Sequence, residues 1–183
     1  MPTSTQDHIA VERIKSAIRE IPDFPKPGIL FKDIMPVMKD PVLFNQVVDY
    51  FYYQVKDKNV QYISGIESRG FIIGAALAYK LGAGFVPIRK KGKLPGQIEA
   101  HHYDLEYGTD TVEIQSDAFP KGARVVLIDD LLATGGTAGA AIHLLERLQC
   151  EILEILFLVE LDFLKGRTAL PARIQTHSMI HYA

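Results

Sequence analysis

Residues 125–141, VVLIDDLLATGGTAGAA, restrict the fold more than any other part of the chain. Residues 124–128 are nearly all apolar, the pattern of a parallel strand buried on both faces. Two acids, Asp129 and Asp130, follow at once. A run of small residues, Ala133, Thr134, Gly135, Gly136 and Thr137, then leads into an apolar helix expected at residues 138–148. A strand that feeds a helix through a tight glycine turn calls for an α/β domain. It puts the acids at the carboxyl edge of the sheet, where open α/β folds bind ligands. Backbone N–H groups at a helix start, with the favourable end of the helix dipole, suit a dianion such as phosphate. The hydroxyls of Thr134 and Thr137 add donors. Valine at Gly136 is expected to obstruct this approach, with added strain if φ there is positive.

Two common phosphate loops do not fit. A P-loop needs a lysine after its last glycine, and no lysine occurs between Lys121 and Lys165. The dinucleotide pattern G-x-G-x-x-G is absent as well. Two carboxylates beside a phosphate site suit a polyol such as ribose. They also suit magnesium, which keeps several waters and shares oxygens with substrate phosphates.

Elsewhere, segments with helical and strand patterns alternate, which argues for one domain with a parallel central sheet flanked by helices. Asp7 is an expected N-cap for a helix carrying Ile14, Ala17, Ile18 and Ile21 on one face. Asp40-Pro41 signals another helix start, with Phe44, Val47, Val48, Phe51 and Val55 at helical spacing. Strands are expected at residues 60–64, 84–88, 153–159 and 174–180, and a helix at 71–81. Residues 103–107 and 111–115 read as a hairpin turning at Gly108-Thr109-Asp110.

The formal charge is -2, from 20 basic and 22 acidic residues, which argues against a dedicated nucleic-acid binder. The single cysteine, Cys150, excludes an internal disulfide and fits the cytoplasm. It reads as a small buried hydrophobe. The opening MPTSTQDH lacks a cationic region before an apolar one, so no signal peptide is expected. No stretch approaches the roughly 20 apolar residues of a membrane span.

The strand, acid pair and ATGGT loop together resemble the type I phosphoribosyltransferases, most closely their adenine-using branch. Other motifs agree: IPDFPKPGILFKDIMPVMKDP (residues 21–41) resembles that branch's base-binding hood, and GIESRGF (65–71) its pyrophosphate loop. IRKKGKLPG (88–96) and YDLEYGTDTVEIQ (103–115) resemble its mobile lid. The resemblance implies the type I phosphoribosyltransferase fold as one domain over residues 1–183, with a small N-terminal hood at about 1–40 and a mobile lid hairpin at about 88–115. It implies the conversion of adenine and 5-phosphoribosyl-1-pyrophosphate into AMP and pyrophosphate, with magnesium held mainly through the substrate. A homodimer follows from it too; the charge and hydropathy lead to no nucleic-acid or membrane partner being expected.

It also implies roles. Ala133, Thr134, Gly135, Gly136 and Thr137 hold the 5-phosphate. Asp129 and Asp130 take the ribose hydroxyls and, through water, the magnesium shell; no residue is assigned as a direct metal ligand. Ser68, Arg69, Gly70, Arg89, Lys90 and Lys93 meet the pyrophosphate, with Arg69 also catalytic. Glu106 is the acid/base residue at adenine N7, and Tyr107 helps close the lid. Leu30 and Lys32 read adenine through their backbone, and Phe31 stacks on it.

Several of these residues have plainer readings. Without the resemblance, Glu106 is a solvent-facing strand residue, Phe31 is core, and Arg89, Lys90, Lys91 and Lys93 are a solvated basic run. His101 and His102 lack a third residue at metal-ligand spacing. Three rival functions stand beside the main one. Ser68 between a strand and a helix suggests a hydrolase, but a nucleophile elbow needs glycine at Ile66. A non-catalytic sugar-phosphate sensor needs a DNA-binding module, and the segment before Asp23 is short for one. A transferase for another nucleobase fits all but the hood. Lys32 and Glu67 depart from the arginine and aspartate common at those positions.

Overall fold

In the computed structural model the described residues are 5–105 and 108–183. The chain divides into two compact units, Met1–Tyr50 and Phe51–Ala183.

The first unit holds α1 (Thr5–Ala17), β1 (Arg19–Pro22), β2 (Leu30–Asp33), α2 (Met35–Lys39) and the first part of α3 (Pro41–Val55). Asp7 lies inside α1 and does not precede it. Ile14 and Ile18 are buried as the helical spacing requires, but Ile21 belongs to β1, where it pairs with Phe31 in an antiparallel ribbon. The helical period runs on into Ile21 by coincidence, since α1 stops at Ala17. Arg19 Nε donates to Asp33 Oδ2 at 3.0 Å across the ribbon. Asp33 Oδ1 accepts the Met35 N–H at 2.9 Å. Asp40 Oδ1 accepts the N–H groups of Val42 and Leu43 at 2.8 and 3.1 Å, so it caps α3 with Pro41 in the first turn. Leu43, Val47, Val48, Phe51 and Val55 are the buried positions of α3, and Phe44 is only partly buried.

The second unit is built on β3 (Tyr62–Ile66), α4 (Arg69–Leu81), β4 (Gly84–Lys90), β5 (Ile98–Leu105), β6 (Gly108–Gln115), β7 (Arg124–Leu132), α5 (Gly136–Arg147), β8 (Glu151–Leu161) and β9 (Gln175–Tyr182). The sheet order is β5-β6-β4-β3-β7-β8-β9. Strands β4, β3, β7, β8 and β9 are parallel, and the β5-β6 hairpin joins antiparallel at the β4 edge. Residues 125–128 and 155–159 are buried throughout, as central parallel strands must be. Leu127, Ile155 and Phe157 share a cluster with α5. The alternate residues Ile63 and Ile128 lie under Gly74 of α4, so the two helices cover opposite faces. Each fully buried Leu or Ile here contributes about 1.5–3 kcal/mol.

Most strands run further than their apolar residues suggest. β7 continues through Asp129 and Asp130 to Leu132, paired with β8. β4 includes Arg89 and Lys90, which pair with β6. Thr109 and Asp110 are strand residues opposite Asp104 and Tyr103, and not the turn expected of them.

Candidate functional site

Two helices begin at the carboxyl edge of the sheet, α4 just after β3 and α5 just after β7. Neither start is capped by a side-chain hydrogen bond: Ser68 and Gly135 stand at the cap positions without one. The N-cap side chains thus leave the first N–H groups open to another acceptor, apart from the Phe71 N–H, which donates to the Ser68 carbonyl at 3.2 Å. Both starts open on one cavity of about 310 Å³. Its wall includes Ser68 and Arg69, Asp129 and Asp130, all of residues 133–137, and Glu67 with Lys90. Gly70, Arg89 and Lys93 do not line it. No histidine stands among the residues that line the cavity with Ser68, so they form no Ser–His pair there.

The loop owes its shape to Gly135. Its φ of 85° is left-handed, whereas Gly136 starts α5 without positive φ. A Cβ on Gly135 would sit 2.4 Å from the Gly166 carbonyl oxygen, and one on Gly166 would sit 2.2 Å from the Ala133 carbonyl oxygen. The loop thus rests on a 3-10 turn, Gly166–Ala169. Arg167 pins that turn: its Nε and Nη2 each donate to Glu160 at 2.7 Å, and Nη1 donates to the Thr176 carbonyl at 2.9 Å. At the other wall, a Cβ on Gly70 would lie 2.9 Å from Asp129 Oδ1, so α4 starts hard against the end of β7. The Glu67–Ser68 peptide is cis.

The charges are arranged in opposition. Burial pushes the Asp129 carboxyl well above its ordinary value, and the charge of Asp130 beside it adds to this. Asp130 is raised by burial too, against the pull of Arg69. Arg69 Nε faces Asp130 Oδ2 at 2.8 Å as an ion pair, yet that oxygen accepts no hydrogen bond. A folded-state pKa raised above the unfolded one means stability that is intact at low pH and lost as pH rises through the shifted value. Asp129→Asn keeps the oxygen that accepts the Asp130 N–H at 2.8 Å and removes the charge. The variant is expected to melt higher than the wild type at pH 7, with the difference vanishing below about pH 4. Thermal unfolding across that range checks it; a lower melting temperature at pH 7 would contradict the assignment.

Arg89, Lys90 and Lys93 are each engaged. Lys93 Nζ donates to Glu67 Oε1 at 2.6 Å, Arg89 reaches both Glu67 oxygens at 3.3 Å, and the Lys90 N–H reaches Oε2 at 3.0 Å. Burial pushes the Glu67 carboxyl up, but these donors outweigh it and hold it at about 2. Lys90 Nζ lies 2.5 Å from Asp110 Oδ2 and 2.7 Å from the Tyr103 hydroxyl. Sequence reasoning gave no role to Tyr103, Asp110, Gly166 or Arg167, and treated Glu67 only as a departure. Of these, only the glycine carries a local signal.

Leu30, Phe31 and Lys32 form β2 of the first unit, where Phe31 packs edge-on against Phe24 at 5.1 Å and Lys32 Nζ is paired with Glu20. Glu106 and Tyr107 lie outside the described residues. Cys150 is half-buried at the foot of α5, with its thiol pushed up to about 11 by burial. Among the described residues, one group of His and acid side chains is close enough to share an ion: Glu160, Asp162 and His181. None lines the cavity, and Glu160 is already held by Arg167.

Residues 43–176 match the family of the phosphoribosyl transferase domain. The chain is 56% identical over 158 residues to the adenine phosphoribosyltransferase of Acaryochloris marina, a match covering 86% of this chain and 93% of that one. Its structure is similar to the adenine phosphoribosyltransferase of Rhodothermus marinus, with a TM-score of 0.92, 49% identity, and 96% and 99% of the two chains covered. It is also similar to the Saccharomyces cerevisiae enzyme complexed with D-2,5-dideoxy-2,5-imino-altritol 1,6-bisphosphate and adenine. There the TM-score is 0.90 and the identity 43%, with 94% and 99% covered.

Proposed function

The chain belongs to the phosphoribosyl transferase family, and from that premise we infer that it joins adenine to 5-phosphoribosyl-1-pyrophosphate, giving AMP and pyrophosphate. The observation that carries this reading is the cavity onto which two uncapped helix starts and the acid pair open together. The start of α5 and the loop before it take the 5-phosphate. Asp129 and Asp130 accept from the ribose hydroxyls. Ser68, Arg69 and the first turn of α4 take the pyrophosphate, where the helix dipole and a guanidinium both favour an anion.

In the reaction adenine N9 bonds to the anomeric carbon, and the bond from that carbon to the pyrophosphate oxygen breaks with its electron pair leaving on pyrophosphate. Glu106 takes the proton that adenine loses. The chain's contribution is placement and charge: groups fixed where the departing pyrophosphate gathers negative charge need no reorganisation as it leaves. Arg69 must exchange Asp130 for pyrophosphate, and Arg89 and Lys93 must leave Glu67 to reach it. Leu30, Phe31 and Lys32 hold the base. The Lys32 ammonium is occupied by Glu20, which supports a backbone role at that position.

Magnesium fits the acid pair. Both are hard oxygen donors of the kind that cation prefers, and Asp130 Oδ2 is buried without a hydrogen bond. When bound with substrate it would supply charge neutralisation at the pyrophosphate, and Asp129 and Asp130 would hold its shell through water. Conversion of adenine to AMP is expected to stop when the metal is chelated and to return with added magnesium. Undiminished turnover in excess EDTA would remove the metal from the account. Among the described residues no helix is long and apolar enough to cross a membrane. A homodimer is the assembly the resemblance implies, and the single cysteine fits the cytoplasm; the exposed Ile72 and Tyr79 of α4 supply apolar area for such an interface. Sedimentation at the 20.4 kDa of one chain would refute the dimer.

A further inference from the structure

Tyr103 stands outside the cavity wall yet touches two residues that form it. It is on β5 and nearly buried, at 9% exposure. Its hydroxyl lies 3.0 Å from Thr137 Oγ1, at the start of α5, and accepts from Lys90 Nζ, at the end of β4, at 2.7 Å. The same hydroxyl lies 3.0 Å from Asp110 Oδ2, its partner across the hairpin. Four side chains from four elements therefore meet at one phenol oxygen.

That oxygen carries one proton, and where it points matters. If Tyr103 donates to Asp110, its oxygen can only accept from Thr137. The single hydroxyl proton of Thr137 then points away from the cavity, and a phosphate oxygen would meet only its lone pairs. If Tyr103 donates to Thr137, the threonine proton is free to point into the cavity. Asp110 does not lose its charge partner in this second arrangement, because Lys90 Nζ stays on it at 2.5 Å. A dianion on the loop favours the second arrangement.

We propose that Tyr103 is a positioning residue for the sugar phosphate: it turns the Thr137 hydroxyl proton toward the 5-phosphate and so couples occupancy of the loop to the β5-β6 hairpin. This rests on the reading of residues 133–137 as the 5-phosphate site. The hydroxyl of Tyr103 contributes through Thr137, not by touching substrate.

Ribose 5-phosphate tests this, because it carries the 5-phosphate and no pyrophosphate and so leaves the contribution of Lys90 aside. Its affinity is measured by calorimetry for the wild type, Tyr103→Phe, Thr137→Val and the double variant. Thr137→Val is expected to weaken binding about 10-fold, the effect of one charge-assisted hydrogen bond. Tyr103→Phe leaves Thr137 its own proton and removes only the donor that aims it, so a smaller loss of about threefold is expected. The double variant is expected to be no weaker than Thr137→Val alone, because both act on one contact. Thr137→Ser keeps a hydroxyl, and in that background Tyr103→Phe is expected to cost its threefold again. A purely structural effect of Tyr103 would add to that of Thr137, so roughly 30-fold weaker binding in the double variant overturns the proposal. Unchanged affinity in Tyr103→Phe overturns it too. A wild type that does not bind ribose 5-phosphate at all overturns the 5-phosphate assignment itself, and the relay with it.

Discussion

Gly135→Ala weakens sugar-phosphate binding by about 100-fold and leaves the chain folded. Two costs arise at that position. An alanine at φ 85° is in left-handed backbone, worth about 1–2 kcal/mol against it. Its Cβ also falls 2.4 Å from the Gly166 carbonyl oxygen. One side of that contact must move, and the two sides are not equally held. The Gly166 turn is clamped by Arg167 to Glu160 and to the Thr176 carbonyl. The loop side carries lighter ties, the Gly139 N–H to the Gly135 carbonyl at 2.8 Å and the Thr137 hydroxyl to Tyr103 at 3.0 Å, so the loop moves, and the N–H groups aimed at the phosphate move with it. A 100-fold loss corresponds to about 2.7 kcal/mol. Binding of 5-phosphoribosyl-1-pyrophosphate by calorimetry, with circular dichroism as the check on folding, decides it. Wild-type affinity in a folded Gly135→Ala variant would contradict the loop assignment.

Glu106→Gln lowers turnover by about 10²- to 10⁴-fold, the usual worth of general acid/base catalysis. The amide keeps the shape of the side chain and cannot take a proton. Affinity for 5-phosphoribosyl-1-pyrophosphate is expected to stay within about threefold, since Glu106 is assigned to the base and not to the phosphates. Single-turnover kinetics isolate the chemical step from product release. A near-normal single-turnover rate would remove Glu106 from the reaction.

The parts of the site that were legible in the sequence are those the chain builds from neighbours. Asp129, Asp130 and residues 133–137 follow one another along a single strand, loop and helix, so their pattern survives in one dimension. The parts that were not legible join distant segments. Gly166 supports Ala133 and Gly135 from a turn that looks like any other glycine-containing loop. Tyr103 and Thr137 meet across 34 positions. Glu67 looked like a small departure from a family pattern, yet it gathers Arg89, Lys93 and the Lys90 N–H. The strand ends were missed for a related reason. Apolar runs mark only the buried middle of a strand, whereas Arg89, Lys90, Asp129 and Asp130 continue the ladder where the sheet opens on the cavity. Asp110 illustrates the same conflict locally. Gly108-Thr109-Asp110 has turn composition, but backbone pairing with Asp104 and Tyr103 overrides it.

The central claim is the choice of base, and pyrophosphate release with a panel of nucleobases tests it most directly. Adenine presents an amino donor at position 6 and an acceptor at N1; hypoxanthine presents an acceptor and a donor at those places. A site that reads adenine with one carbonyl and one N–H leaves two buried groups facing like partners when hypoxanthine enters, a mismatch worth about 10⁴-fold or more in kcat/KM. With saturating 5-phosphoribosyl-1-pyrophosphate and magnesium, adenine is expected to release pyrophosphate at least about 10⁴ times more efficiently than hypoxanthine or guanine. Equal efficiency with hypoxanthine would contradict the account.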